Sequence, residues 1–277
     1  MISAIVPVGN YIRDKDNIYN IIKSTINKDI ELIIVNDSEN FSTTQKNRIL
    51  SIAHPNLLIL NCKARNPGGA RNIGLEFANG EWVTFWDSDD APNVKEIIAI
   101  QNKLCLKDAD LIVGQYGEQI SPKLYKPRST PNNLSHLLNK PGIWRILFKK
   151  DFLANQQFIN CRLGEDMAYV AEALDKGPIV KFYKETIYVY NRGPDRLSNS
   201  EIIINEFEEV LKILEMKSCI KSKYQKIAYY NLLTSYLKKT NIRFFSKTLL
   251  AVLNAHKKFG LISYLNIVNS VLRKILH

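Results

Sequence analysis

The sequence predicts an α/β protein in which a mostly parallel β-sheet is flanked by helices, with an α-helical appendage at the C-terminus. Short apolar runs alternate with longer segments of helical character, and this alternation is typical of parallel strands that are covered on both faces. Hydrophobic residues make up 45% and charged residues 23% of the 277 residues, as in ordinary globular domains. Everything after Glu201 has helical character. We therefore predict one domain over residues 1–200 and a basic helical region over residues 201–277.

The chain begins with three short apolar runs, each bounded by polar or turn residues. Residues 2–8, 31–35 and 57–60 are near-continuously apolar and are predicted to be buried parallel strands. The intervening residues 15–27 and 42–53 are long enough for crossover helices, and the second segment offers a Ser or Thr N-cap. The first part of the sheet is therefore predicted to be built from strand–helix–strand units.

The alternation continues through the rest of the domain, with one weaker region. The predicted elements are a helix over residues 69–78, a strand over 83–86, a helix over 94–106, a strand over 109–113, loops over 114–140, a strand over 143–148, a helix from Glu165, a strand over 178–190 and a basic loop over 191–200. Asn79 and Gly80 end the first of these helices, and Asn93 begins the second. Four prolines mark the region of predicted loops.

The fourth predicted strand ends in an acidic stretch around which the rest of the chain is organised. Asp87, Asp89 and Asp90 follow the strand within four positions. If the chain stays extended there, Asp87 and Asp89 lie on the same side, where like charges repel unless a proton or a cation lies between them. Carboxylate oxygens suit Mg2+ or Mn2+, so we predict a metal site on Asp89 and Asp87. The alternative is a solvated turn in which Asp90 caps the next helix.

Other side chains are predicted to reach the same carboxyl edge of the sheet. Asp37 ends the second strand, and its carboxylate can accept a hydrogen bond from a base N–H, although a simple turn aspartate is an equally good interpretation. Pro7 and Val8 end the first strand and offer backbone groups. The ring of Tyr11 can stack on a base, but ordinary packing is the simpler account of this residue.

A segment of small residues opens the helix that precedes the acidic stretch. Gly68, Gly69 and Ala70 permit a close approach, and the guanidinium of Arg71 can neutralise a diphosphate. The spacing is not Gly-x-Gly-x-x-Gly, and Gly-x-x-x-x-Gly-Lys-Ser/Thr does not occur in the sequence. A dinucleotide-binding Rossmann site and a P-loop are therefore disfavoured.

Four segments, taken together in order and spacing, resemble the inverting family 2 glycosyltransferases of GT-A fold. They are residues 5–10, 32–38, 69–74 and 80–90, and the resemblance covers about residues 1–200. It implies a Rossmann-like GT-A domain and a nucleotide-sugar donor, usually a UDP-sugar, with Asp37 near the uracil and Asp89 as a metal ligand. The similarity is to the bacterial surface-polysaccharide type, which implies a glycan or a lipid-linked acceptor.

Two later segments extend the resemblance. Glu165 and Asp166 match the family's acidic pair, whose Asp commonly serves as the base, and a helix N-terminus favours the ionised form of such a group. Without the resemblance, two acidic residues that complement a helix dipole would be the better interpretation. Residues 188–192 with Ser198 match a later Tyr-x-Tyr-Arg element, which implies that Arg192 or Arg196 covers the phosphates.

The sequence also departs from the family pattern at three positions. Gly9 stands where a Tyr is common, Asn36 replaces the first Asp of a usual pair, and Asn191 intrudes before Arg192. The predicted nucleotide-sugar-binding residues are Pro7, Val8, Tyr11, Asp37, Arg71, Asp87, Ser88, Arg192 and Arg196. The predicted catalytic residues are Asp166 and Glu165, and the predicted cofactor is Mn2+ or Mg2+. A non-catalytic, transferase-like scaffold is the alternative, and the retention of Asp87, Asp89 and Asp166 together argues against it.

The net charge of +11 is concentrated at the C-terminal end. Residues 216–277 hold 12 of the 38 Lys and Arg residues and none of the 27 acidic residues, which leaves 26 basic and 27 acidic residues before them. Apolar side chains in this basic tail recur at helical spacing, so packing on the domain or on a second copy is one interpretation. Attachment to an anionic membrane surface is another, and an anionic acceptor glycan is a third.

A nucleic-acid partner and a secreted location are both disfavoured. A basic region is the usual footprint of nucleic-acid binding, but no recognised motif is present and the acidic stretch would repel phosphates without a metal. The start of the sequence has the character of a first strand, and the four cysteines form no Cys-x-x-Cys pair. We therefore expect a cytoplasmic protein that binds peripherally to the inner face of the cell membrane.

Overall fold

The structure is a computed structural model that describes residues 1–103, 108–121, 124–128, 133–138, 142–191, 206, 209–211, 213 and 222–239. The strands are β1 Ile2–Val8, β2 Ile30–Asn36, β3 Leu57–Asn61, β4 Trp82–Phe85, β5 Ala91–Pro92, β6 Leu111–Ser121, β7 Leu124–Arg128, β8 Ile146–Lys149 and β9 Val180–Tyr190. The helices are α1 Tyr11–Thr25, α2 Thr43–Leu50, α3 Pro67–Phe77, α4 Val94–Gln101, α5 Leu134–Leu137, α6 Lys150–Leu153, α7 Glu165–Asp175 and α8 Lys223–Lys239. Within this part of the chain, no helix combines the length and apolar character needed to cross a membrane.

The described strands form one sheet in the order β3-β2-β1-β4-β8-β6-β9-β5, and β7 pairs with β6. The first four strands are parallel, β8 is antiparallel to both of its neighbours, and β6 is parallel to β9. The predicted α/β class and the parallel N-terminal half are therefore confirmed. The other half of the sheet is mixed.

Helices cover both faces of this sheet because alternate residues of each strand point to opposite sides. On one face, Ala4 and Val6 of β1 pack with the apolar side of α1, which includes Ile18 and Ile22. On the other face, Ile5 belongs to a second cluster that includes buried residues of α3 and α7. The near-continuous apolar character of β1 is thus the signature of burial on both faces.

The prediction of loops over residues 114–140 is wrong for the first part of this range. Strand β6 continues to Ser121 and forms an antiparallel pair with β7. Pro127 lies in β7 and does not prevent this pairing, because a proline is tolerated on an edge strand whose outer side needs no ladder hydrogen bond. Smaller differences concern α4, which ends at Gln101, and the predicted strand over 143–148, which begins with a 3-10 turn at Ile143–Arg145.

Helix α8, the last of the described helices, packs against α7 within the same apolar cluster. Ala228 is buried in the cluster that contains α7, and the Asn231 side-chain amide donates to the carbonyl of Leu138 at 2.9 Å. The side chain of Ser222 hydrogen-bonds to Asp175 at the end of α7. The described part of residues 201–277 therefore shares its core with the sheet domain, while the domain boundary at residue 200 stays a prediction.

Candidate active site

The strand order reverses between β1 and β4, and open α/β sheets bind ligands at such a switch point, beyond the carboxyl ends of the strands. Hydrogen bonds extend the ladders just past these ends. The N–H of Asp37 donates to the carbonyl of Val8 at 2.9 Å, and the N–H of Trp86 donates to the carbonyl of Ile5 at 2.9 Å. The residues that follow β1, β2 and β4 are thereby brought to one edge, as the sequence predicts.

The acidic stretch forms a turn over Asp87–Asp90, which we name the acidic turn. The N–H of Asp90 donates to the carbonyl of Asp87 at 3.2 Å, so the chain does not stay extended here. The expected strand-like alternation is therefore wrong, and the turn instead brings carboxylate oxygens of Asp87, Asp89 and Asp90 within 4.8 Å of one another. Asp90 does not cap the next helix, because the side chain of Asn93 does so by accepting from the N–H of Glu96.

The first turns of α1 hold the acidic turn in place. The side-chain amide of Asn17 donates to the carbonyls of Ser88 at 2.8 Å and Asp90 at 2.5 Å. The hydroxyl of Ser88 donates to a carboxylate oxygen of Asp14 at 2.7 Å, and both side chains are buried. The hydroxyl of Ser88 therefore already has Asp14 as a partner inside the protein. Its contact with the nucleotide stays a prediction.

The end of β9 holds the acidic turn from the opposite side. The hydroxyl of Tyr188 accepts a hydrogen bond from the N–H of Asp87 at 2.9 Å, and a carboxylate oxygen of Asp90 accepts from the N–H of Asn191 at 2.7 Å. Burial, and then the charges of the nearby aspartates, keep the pKa of Tyr188 well above its ordinary value. Tyr188 therefore stays a neutral hydroxyl, and its ring stacks on Trp144 with centroids 4.6 Å apart.

The carboxylates of the acidic turn fit a divalent cation. Hard oxygen donors suit Mg2+ and Mn2+, and three of them lie close enough to share one ion. Asp87 and Asp89 are partly exposed, so solvent or a ligand can reach them, whereas Asp90 is buried. The guanidinium of Arg13 lies 3.6 Å from Asp89 and offsets part of the negative charge. Asp87, Asp89 and Asp90 thus form one carboxylate cluster, and the role of Asp89 and Asp87 as metal ligands stays a prediction.

Arg71 is buried between two carboxylates. Its guanidinium donates to Glu165 at 2.7 Å and to Asp87 at 2.8 Å, and its side chain is 5% exposed. The sequence predicts a diphosphate contact for Arg71, and that contact stays a prediction. The guanidinium already links the acidic turn to the start of α7.

Glu165 and Asp166 form the first turn of α7, after Gly164 in the left-handed region with φ of 81°. Burial raises the pKa of Glu165 to about 7, and the charge of Arg71 opposes this rise. Burial also raises the pKa of Asp166, while Arg71 and the N–H of Met167, which donates to Asp166 at 2.6 Å, lower it. For both groups burial outweighs the expected preference of a helix N-terminus for the ionised form.

The residues predicted to bind the base are mostly packed inside the protein. Tyr11 is 3% exposed, and its ring lies 4.5 Å from that of Phe41. Pro7 and Val8 are also buried. One carboxylate oxygen of Asp37 is shielded from solvent and lacks a hydrogen-bond partner within the described residues. The base contacts of these residues stay predictions. The phosphate contacts of Arg192 and Arg196 also stay predictions, because these two residues and Ser198 lie outside the described residues.

Asp14 and Asn17 are site residues that sequence reasoning missed. Both lie on α1, which begins after the N-cap Asn10 at the carboxyl end of β1. The available signal for them was that a polar residue in the first turns of a helix that starts at the sheet edge can face the site. Spacing alone does not separate such a residue from an exposed one, because the partner lies more than 70 positions away.

Comparison with known proteins identifies a family and several relatives. The family described as glycosyl transferase family 2 matches residues 3–175. The glycosyltransferase GlyG of Streptococcus pneumoniae serotype 4 is 22% identical over 276 residues, covering 85% of this chain and 87% of the relative. The Staphylococcus aureus poly(ribitol-phosphate) beta-N-acetylglucosaminyltransferase TarP is 31% identical over 124 residues, covering 42% of this chain and 36% of TarP.

A solved structure has the same fold. S. aureus TarS 1–349 in complex with UDP-GlcNAc superposes with a TM-score of 0.65 at 16% identity, covering 99% of this chain and 92% of that one. A likeness at this identity concerns the fold, which is the GT-A arrangement that the sequence predicts. Since the family match spans more than half of the sequence, this chain belongs to glycosyl transferase family 2 and is a glycosyltransferase.

Proposed function

We propose that this enzyme transfers a sugar from a nucleotide-sugar donor, a UDP-sugar, to a hydroxyl of a glycan or lipid-linked acceptor in cell-surface polysaccharide synthesis, with inversion at the anomeric carbon. The observation that carries the proposal is the acidic turn at the switch point of the sheet, joined through Arg71 to the acidic pair at the start of α7. The proposed site for the charged leaving group and the helix turn that carries the proposed base are thus linked by one buried arginine.

The acidic turn supplies the metal side of this site. Asp89 and Asp87 would hold Mn2+ or Mg2+, with Asp90 nearby, and the bound cation would neutralise the charge that develops on the leaving diphosphate. Asn17, Asp14 and Tyr188 keep the turn rigid, which limits the reorganisation that the reaction requires.

Asp166 is the proposed base. A direct displacement needs a carboxylate on the face opposite the leaving group, where it takes the proton of the attacking hydroxyl as that oxygen bonds to the anomeric carbon. One oxygen of Asp166 accepts from the N–H of Met167, which holds the carboxylate in one orientation and leaves its other oxygen for the acceptor. Although its pKa is raised by burial, Arg71 opposes that rise and favours the ionised form.

The donor and acceptor classes are supported by the relatives. TarS binds UDP-GlcNAc in its solved structure, and TarP is named for transfer of N-acetylglucosamine to poly(ribitol phosphate). Both are consistent with a UDP-sugar donor and a surface-glycan acceptor for this chain. The sequence itself does not select one sugar, since the base contacts expected of Asp37 involve the nucleotide only.

A donor-hydrolysis panel tests the proposed function. Purified full-length protein is incubated with UDP-glucose, UDP-galactose, UDP-N-acetylglucosamine and GDP-mannose, each with Mn2+ and with a chelator. We expect release of UDP from at least one UDP-sugar, and loss of that release with the chelator. Preferential use of GDP-mannose would contradict the UDP assignment, and equal rates with the chelator would contradict the metal assignment.

A further inference from the structure

Arg71 lies at the point where three parts of the active site meet. One nitrogen of its guanidinium contacts Asp87 of the acidic turn, and another contacts Glu165 at the start of α7. The guanidinium carbon also lies 5.5 Å from the ring centre of Phe158. A planar guanidinium presents its donors in a fixed fork, so two carboxylates bound to it are held at a fixed separation.

The neighbouring residues of α3 fix the same junction. The side chain of Asn72 exchanges two hydrogen bonds with the backbone of Phe158, at 2.7 and 2.9 Å. A Cβ on Gly68 would lie 2.4 Å from the carbonyl of Ile159, so only a glycine allows α3 to approach this segment so closely. Together these contacts hold the first turn of α3 against the segment that leads into α7.

We propose that Arg71 is a positioning residue that sets the acidic turn at a fixed distance from α7, and that Glu165 is its anchor on α7 and not an acid–base catalyst. This inference rests on the proposed function, in which Asp87 holds the cation and Asp166 is the base. It differs from the diphosphate contact predicted for Arg71 and from the catalytic role predicted for Glu165. The guanidinium is 5% exposed and both of its carboxylate partners are protein groups.

The exposures of the two carboxylates support this division of roles. The side chain of Glu165 is 8% exposed and faces Arg71, whereas that of Asp87 is 28% exposed and faces the sheet edge as well. A carboxylate enclosed in this way has little surface left for contact with an acceptor hydroxyl. Asp166, the next residue in the chain, is only partly buried and is placed by the anchoring of Glu165.

The first experiment compares Arg71→Met and Arg71→Lys with the parent, using the donor that the parent hydrolyses best. A misplacement of about 1 Å at a reacting centre can lower a rate about 100-fold, so we expect kcat of Arg71→Met to fall by about that factor. The KM for the donor and the Kd for its nucleoside diphosphate should change by less than about threefold, since no ground-state contact is lost. Arg71→Lys keeps the charge and should recover part of kcat, and it replaces Arg71→Met if that variant does not fold.

Glu165 is tested in parallel. Glu165→Gln keeps an oxygen that can accept from Arg71, so its kcat should stay within about tenfold of the parent, whereas Glu165→Ala should lose more. If Arg71 acts through Glu165, the double variant Arg71→Met with Glu165→Ala should lose less than the product of the two single losses. Multiplicative losses, or a Glu165→Gln variant as impaired as Asp166→Asn, would overturn the anchoring role.

Hydrogen–deuterium exchange supplies a readout that needs no donor. Arg71→Met should speed amide exchange in both the acidic turn and the first turn of α7. The control is Arg48→Met, which removes an exposed arginine of α2 that lies over the ring of Tyr19. Unchanged exchange at α7 together with a weaker nucleoside diphosphate affinity would overturn the inference in favour of a diphosphate contact. If the parent protein hydrolyses no donor, the proposed function is contradicted instead. The exchange experiment still tests whether Arg71 links the acidic turn to α7.

Discussion

At the residue scale, the acidic turn shows how a local pattern acquires chemistry through a few specific partners. Asp89 is partly exposed and lies with Asp87 and Asp90 around a space that a cation can fill. Its side chain is 25% exposed beside the ion pair with Arg13 at 3.6 Å, so a ligand can reach the carboxylate. Asp89 is therefore the residue whose loss should affect the metal most and the fold least.

Asp89→Ala should abolish donor turnover while the protein remains folded. Asp87→Ala should weaken turnover, and it also removes one of the two carboxylates that contact Arg71. Titration calorimetry without nucleotide should show that Asp89→Ala no longer binds Mn2+. The matched control is Asp16→Ala, which removes an exposed aspartate from α1. Full activity of Asp89→Ala in a chelator-treated assay would rule out its role as a metal ligand.

Asp166→Asn keeps the shape of the side chain and removes its basicity. The transfer rate should fall by at least the ~10²-fold typical of losing a general base, while donor binding persists. Steady-state kinetics and calorimetric titration with the donor measure the two effects separately. Transfer at the parent rate would remove Asp166 from the mechanism.

At the element scale, the start of α7 is supported by helix α8. Gly164 has φ of 81°, and a Cβ at this position would lie 2.6 Å from the Cδ2 of Leu232 in α8. Leu232 is 2% exposed and Val210 is fully buried beside it. Helix α8 therefore packs directly on the residue that precedes Glu165 and Asp166.

Leu232→Ala should lower the free energy of unfolding by about 2–5 kcal/mol, the usual cost of removing a buried leucine side chain. The same change at Leu124, which is 58% exposed on β7, is the matched control and should cost less than about 0.5 kcal/mol. Urea denaturation of both variants measures the difference. Equal stabilities would mean that α8 contributes little to the support of α7.

At the scale of the whole molecule, the basic tail stands apart from a nearly neutral remainder of the chain. Most of the tail lies outside the described residues, so its attachment to membranes and its contacts between copies stay predictions. Deleting the whole region after residue 200 would not test membrane attachment cleanly, because the deletion also removes α8 and its contact with Gly164. Charge reversal within the tail is the better experiment.

The variant Lys257→Glu, Lys258→Glu, Lys274→Glu should lose binding to anionic vesicles, since each basic residue near such a surface contributes about 1 kcal/mol. Binding of the parent should weaken as salt rises, because the Debye length falls from about 10 Å at 0.1 M to about 3 Å at 1 M. Co-sedimentation with neutral and anionic liposomes measures both effects. The control reverses the same charge at Lys15, Lys28 and Lys95, which are exposed on the sheet domain. Equal loss in both variants, or no preference for anionic lipid, would reject attachment through the tail.

The sequence by itself determined the alternation of strands and helices, the caps at Ser42 and Asn93, and the family. These features depend on neighbours within a few positions, where periodicity and capping act. It also showed which carboxylates are candidates for the metal, because they are adjacent in the chain. The predicted strand over 109–113 covers only the start of β6. The continuation to Ser121 escaped prediction, since the pairing partners β7 and β9, and not the turn-rich composition of β6, decide its length.

Only the tertiary structure decided how the site is held together. Arg71 and Glu165 are 94 positions apart, and Asn17 and Ser88 are 71 apart, so their contacts depend on how α1, α3 and α7 pack on the sheet. The acidic turn likewise differs from the extended chain that its residues suggest, because Asn17 and Tyr188 bind its backbone from two sides. Hydrogen bonds between distant residues leave no periodic trace in a single sequence. For that reason Arg71 and Glu165 could be named as candidate site residues, while the contact between them could not be predicted.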